Sequence, residues 1–189
     1  MLMLIVAGTF AGLSLPAPGP ADSLRFPVVE GTNLEKKQFT LPADFAGAWN
    51  VVLVAFRREQ QADVDTWMPH LKVLARAHPA LRTYELPTLT RSYRWMRRYI
   101  DGGMAGGIPD RTVREHTITL YIDKVPFKRA LGIPDEERIR VFLVARDGRV
   151  AWSGVGAWTA EADASLRAAM AAVAGAAATP AVSAAGTGS

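Results

Sequence analysis

The stretch "WNVVLVAF", residues 49 to 56, is an apolar run rich in valine. A strand with one wet face alternates apolar and polar residues; an unbroken run suits a central strand covered on both faces. The period then changes. Val64, Trp67, Met68, Leu71, Leu74 and Ala75 recur at helical spacing and form one apolar stripe. Asp63 and Asp65 stand near the start of that helix, where carboxylates favour the dipole. Pro69 falls inside the pattern and is expected to kink it, because it removes a backbone donor. Trp67 is expected in the core.

The rest of the chain fits around this pair. "FPVVEGTNLEKKQFTLPADFAG" (26 to 47) reads as a short strand, a turn at Gly31, a second short strand and a loop. "LRTYEL" (81 to 86) supplies another strand. Residues 88 to 101 read as a helix with Leu89, Tyr93, Met96 and Ile100 on its apolar face. "GGMAGGIPD" (102 to 110) is expected to break regular structure, as a mobile loop. "HTITLYI" (116 to 122) alternates and reads as a strand, and "DKVPFKRALGIPD" as a short helix ending near Gly132. "IRVFLVARDGRVAWSGVG" (139 to 156) is a hairpin around Asp147-Gly148, the dipeptide that supplies positive φ. Thr159 can cap a final helix carrying Leu166, Met170 and Val173. The fold class expected is α/β: a mixed sheet flanked by helices on both faces, with an inserted helix and a glycine-rich loop.

Length and composition set the limits. With 189 residues, 49% hydrophobic and 21% charged, one domain with a real core is expected at 24 to 174. Residues 1 to 23 read as a signal or targeting segment and linker, and 175 to 189 as a disordered Ala/Gly/Ser tail. The apolar start is too short for a comfortable membrane span and lacks a basic flank, since the first arginine is Arg25. Export to a periplasmic or membrane-associated location is the favoured reading, with a cytoplasmic location as its alternative. The chain has no cysteine. Disulfides, thiolate metal sites and cysteine nucleophiles are therefore excluded. His70, His78 and His116 show no metal-ligand spacing, so neither metal nor cofactor is expected.

Two regions can carry function. The first, "FRREQQADVDTW", packs Arg57, Arg58, Glu59, Gln60, Gln61, Asp63 and Asp65 between a buried strand and a helix start. In α/β sheets, ligands tend to bind at the carboxyl ends of strands. Arg57, Arg58, Glu59, Gln60, Asp63 and Asp65 are candidates for docking a peptide or protein partner. Arginine offers a planar fork to a carboxylate. A solvated loop with dipole-favouring aspartates would look the same for any single residue. Glu59, Asp63 and Asp65 also allow a carboxylate enzyme, although no adjacent histidine or serine completes a nucleophile–base pair. The second region interleaves Arg91, Arg94, Arg97 and Arg98 with Tyr93, Trp95 and Tyr99. An anionic membrane surface or a protein contact suits it; a solvated helix face is the plain alternative. The net charge of +4 is too modest for a dedicated nucleic-acid binder.

The element order and the stretch "FRREQQADVDTWMPHL" resemble the thioredoxin fold, in particular the periplasmic thiol-disulfide oxidoreductases of the cytochrome-maturation type. Aligned through "MPHL", Met68 to Leu71, the resemblance puts Gln61 and Val64 where the two redox cysteines would stand. The fold's cis-proline, expected just before the hairpin, is replaced by "EERIR" (136 to 140). Exchange needs a thiolate, so no redox activity is expected. A narrower pattern is carried by Phe56, Arg57, Ala62, Asp63 and Trp67, then by Arg129 to Asp135 and Val141 to Gly156. It resembles the mitochondrial ATP synthase assembly-factor family of the ATP-ten type and its bacterial relatives. That resemblance implies a thioredoxin-like, redox-inactive, non-enzymatic chaperone or assembly factor for a membrane protein complex.

Overall fold

A computed structural model describes residues 24–178. The proposed targeting segment and residues 179–189 of the expected tail lie outside them. Seven strands form one mixed sheet: β1 (Val29–Asn33), β2 (Gln38–Leu41), β3 (Trp49–Ala55), β4 (Leu81–Thr90), β5 (Ile118–Ile122), β6 (Arg140–Ala145) and β7 (Val150–Val155). Their spatial order is β2-β1-β5-β4-β3-β6-β7. β4 runs parallel to β3 and to β5; the other neighbours are antiparallel. The helices are α1 (Gln61–Ala77), α2 (Arg97–Gly107), α3 (Arg111–His116), α4 (Lys124–Ala130) and α5 (Ala160–Ala178).

The apolar run became β3 for the reason its composition gave. Val51 and Leu53 face a core shared with Val64, Trp67, Leu71 and Leu74 of α1 and with Leu166 and Met170 of α5. Val52 and Val54 face the opposite core, with Phe45, Leu86, Leu120 and Phe142, closed by Phe127 of α4. Both faces are dry, so no polar alternation was possible. α1 runs unbroken through Pro69. The hairpin turns at Gly148, at φ +87°, and the Thr159 hydroxyl accepts the Ala162 N–H at 3.1 Å. Gly132, at φ +62°, ends α4 with the bonds Ile133 N–H to Lys128 O and Gly132 N–H to Arg129 O.

Several sequence expectations are corrected. Gly31 lies inside β1, not in a turn: a Cβ there would sit 2.5 Å from Ile118 Cγ2, so close strand packing requires the glycine. The turn is made by Asn33, whose Oδ1 accepts the Glu35 and Lys37 N–H groups at 3.1 and 2.8 Å. β4 continues to Thr90, and Leu89 belongs to it rather than to a helix. A 3₁₀ helix (Arg91–Met96) follows, and Tyr93 on it is exposed. α2 then extends through the glycines that were expected to break it. Asp101 explains part of this, since it accepts from Arg97 Nε at 3.3 Å and the Tyr121 hydroxyl at 2.9 Å. α3 was not expected; the Asp110 side chain caps it by accepting the Thr112 N–H at 2.8 Å. α5 runs to Ala178, past the expected start of the tail.

Candidate functional site

The first candidate region sits where β3 ends. Phe56 is the last buried residue; Arg57, Arg58 and Glu59 are exposed. The chain then turns into α1 around Gln60, which is buried at 5% exposure. Gln60 Oε1 accepts the Phe56 and Arg57 N–H groups at 2.8 and 3.3 Å, and its Nε2 donates to the Glu136 carbonyl at 2.7 Å. Gln60 thus faces inward as a structural clamp, so it is withdrawn from the surface offered to a partner. Gln61 and Asp65 are exposed and joined at 3.0 Å; Asp63 is half-buried. The two positions that resemble a redox pair part company: Gln61 is at the surface and Val64 is fully buried in the core.

The Gln60–Glu136 bond joins the start of α1 to the loop before β6, the two places that the sequence resemblance assigned to a cysteine pair and a cis-proline. The Glu136 carboxylate is held in turn by Lys124 Nζ at 2.8 Å and Lys128 Nζ at 2.9 Å. Burial pushes this carboxyl up, but the two ammonium hydrogen bonds outweigh it and hold it below the usual range. The Lys124 ammonium also lies 5.6 Å from the Phe56 ring centroid. The backbone before β6 is therefore tied down by polar contacts, while the cis peptide found among the described residues is Leu41–Pro42, elsewhere.

One ionisable group near this edge escaped the sequence reading. Glu85 on β4 is only 8% exposed and pairs across the sheet with Leu53 and Thr117. Burial pushes its carboxyl up to about 7; a hydrogen bond with Gln61 pulls it down, and the Asp65 charge adds to the rise. The stretch LRTYEL shows it only as a lone acid in a strand; what covers it is not local to the sequence.

The second candidate region splits into two surfaces. Arg91, Arg94 and Arg97 line a groove of about 450 Å³ over β1, β2 and β5. Trp95 and Tyr99 are 83% and 80% exposed, and Arg98 is exposed beside them. Among the described residues, no three His, Asp or Glu side chains gather to hold a metal ion. Among them, too, no helix is long and apolar enough to cross a membrane.

The fold matches solved thioredoxin-like structures. BsSco, described as a member of the Sco family of cytochrome c oxidase assembly proteins, has 12% identity and a TM-score of 0.56, over 80% of this chain and 95% of its own. A SCO1/SenC family lipoprotein from Bacillus anthracis has 13% identity and a TM-score of 0.54, over 79% and 95%. The exposed lipoprotein thioredoxin Etrx1 from Streptococcus pneumoniae has 11% identity and a TM-score of 0.50, over 77% and 99%. No family model matches the chain. No curated protein shows significant sequence similarity to it. The fold is thus thioredoxin-like, and with no cysteine the chain lacks the atoms for thiol exchange.

Proposed function

We propose that this chain is a redox-inactive thioredoxin-like binding module that acts by contact, as a chaperone or assembly factor for a membrane protein complex. The observation that carries the reading is the Gln60–Glu136 clamp. It fixes the strand end where thiol chemistry would sit, and leaves Arg57, Arg58, Glu59, Gln61 and Asp65 presented to solvent. A rigid backbone with exposed forks and carboxylates suits docking of a polar segment, because less ordering entropy is lost on binding. An assembly role has a parallel in BsSco, a member of the Sco family of cytochrome c oxidase assembly proteins. An ATP-synthase-like client rests on the sequence resemblance alone. An exported or membrane-associated location is part of the same proposal, and Trp95, Tyr99 and Arg98 would suit an anionic membrane surface.

A carboxylate enzyme is the alternative, and Glu85, at about 7, is the observation in its favour. Against it, Glu85 is enclosed, Glu59 and Asp65 are open to solvent, and the Arg-lined groove lies elsewhere. The deciding experiment is capture from detergent-solubilised membranes of the source cells. The wild type is expected to retain a membrane protein that the R57A/R58A double variant releases. Equal capture by the two, or none by either, would count against docking at this edge.

A further inference from the structure

A 3₁₀ helix has three residues per turn, so side chains at i and i+3 eclipse. Arg91 and Arg94 on the 3₁₀ segment and Arg97, the first residue of α2, therefore form one column. The rise of about 2 Å per residue spaces them roughly 6 Å apart, about 12 Å end to end. All three line the groove whose floor is the outward face of β1, β2 and β5. The floor is polar: Thr32 stands opposite Thr119 and Gln38, and Glu30 opposite Thr40. The Thr119 hydroxyl, on a residue only 1% exposed, has no hydrogen-bond partner.

The acids of the groove are largely engaged. Asp44 accepts the Thr40 N–H at 2.6 Å, and Asp123 accepts the Val125 N–H at 3.0 Å. Asp101 beside it takes Arg97. Glu30 remains at the exposed rim. Among the described residues, neither Arg91 nor Arg94 forms an ion pair, whereas Arg97, the next in the column, pairs with Asp101.

We propose that this groove binds an extended acidic segment of a partner protein, with carboxylates at alternate residues meeting Arg91, Arg94 and the end nitrogens of Arg97, whose Nε is held by Asp101. Alternate side chains of an extended chain project on one side about 6.6 Å apart, close to the spacing of the column. Guanidinium forks accept carboxylates bidentately. A single phosphate is too short to span the column. Trp95 and Tyr99, 83% and 80% exposed, would offer a bilayer its contact, whereas the three arginines line the groove. The inference extends the binding-module reading to a second surface, and it does not depend on the edge at 57 to 65.

The test is fluorescence anisotropy with a labelled heptapeptide of alternating serine and glutamate, three glutamates in all. Its control has the same composition with the glutamates consecutive. Saturable binding is expected for the alternating peptide, weaker for the control, and weaker by about tenfold in an R91A/R94A variant. Higher salt should weaken it further, while R57A/R58A should leave it unchanged. Circular dichroism shows whether each variant remains folded. Three results would overturn the proposal: no saturable binding by the wild type, equal binding by R91A/R94A, or full competition by inorganic phosphate at equal charge. Binding to phosphatidylserine vesicles that R91A/R94A loses, with no peptide binding, would also overturn it and assign the column to a membrane.

Discussion

Trp67→Ala is expected to destabilise the domain by about 3–5 kcal/mol, the range for removing a large buried aromatic. Trp67 is fully buried on α1, among residues of β3, β6 and α5. Its ring packs edge-on against Trp152 of β7 at 6.3 Å between centroids. Its indole N–H donates to the Gly156 carbonyl at 3.0 Å, just where β7 ends. Nearby, the Thr66 hydroxyl accepts the Trp158 N–H at 2.8 Å, and the His70 and Trp158 rings stack at 3.8 Å. One residue thus fills the core and fixes the end of β7 against α1. Trp67→Phe keeps most of the volume but strands the Gly156 carbonyl, so about 1–3 kcal/mol is expected for it. Urea unfolding followed by circular dichroism measures both. A loss below about 1 kcal/mol for Trp67→Ala would contradict the packing described.

Glu85→Gln is expected to stabilise the protein at pH 8 and to have little effect near pH 4.5. In the folded state burial raises the Glu85 carboxyl from an ordinary 4.5 to about 7. The folded protein therefore binds this proton more tightly than the unfolded chain does. Its contribution is fully present below about pH 4.5 and is lost as pH rises through about 7. The difference corresponds to about 3 kcal/mol at pH 8. Glutamine imitates the protonated acid, so the variant should lack this pH dependence. Unfolding midpoints across pH 4.5 to 8 check it. Equal slopes for the two proteins, or a less stable variant at pH 8, would contradict the burial argument.

These two residues also show what a sequence can and cannot disclose. Trp67 was legible because helical periodicity is local, and its neighbours Val64, Leu71 and Leu74 repeat the same face. β3 was legible because two dry faces impose a run of apolar residues. The hairpin was legible from Asp147-Gly148. Glu85 was overlooked because the residues around it, Leu53, Thr117, Gln61 and Asp65, are all distant from it in sequence. Gln60 had looked like part of a polar surface. Its inward turn depends on the carbonyl of Glu136, 76 positions away. α2 runs against local propensity, since four glycines lie within it. Its tie to the sheet is Asp101, bonded to the Tyr121 hydroxyl on β5. The arginine column depended on the 3₁₀ geometry of 91 to 96, where an α-helix would have spread Arg91, Arg94 and Arg97 around its surface.

The thioredoxin-like fold here carries no cysteine, and the end of β3 is clamped from within by Gln60. If the domain works by contact at this edge, the exposed residues after β3 meet a partner. The most direct measurement is site-specific photo-crosslinking in the cells that make the protein. A photoreactive residue replaces Arg58 at the edge, or Ala168 on the exposed side of α5 as a control. A discrete light-dependent adduct is expected from position 58 and none from position 168. No adduct at 58, or the same adduct from both positions, would contradict it.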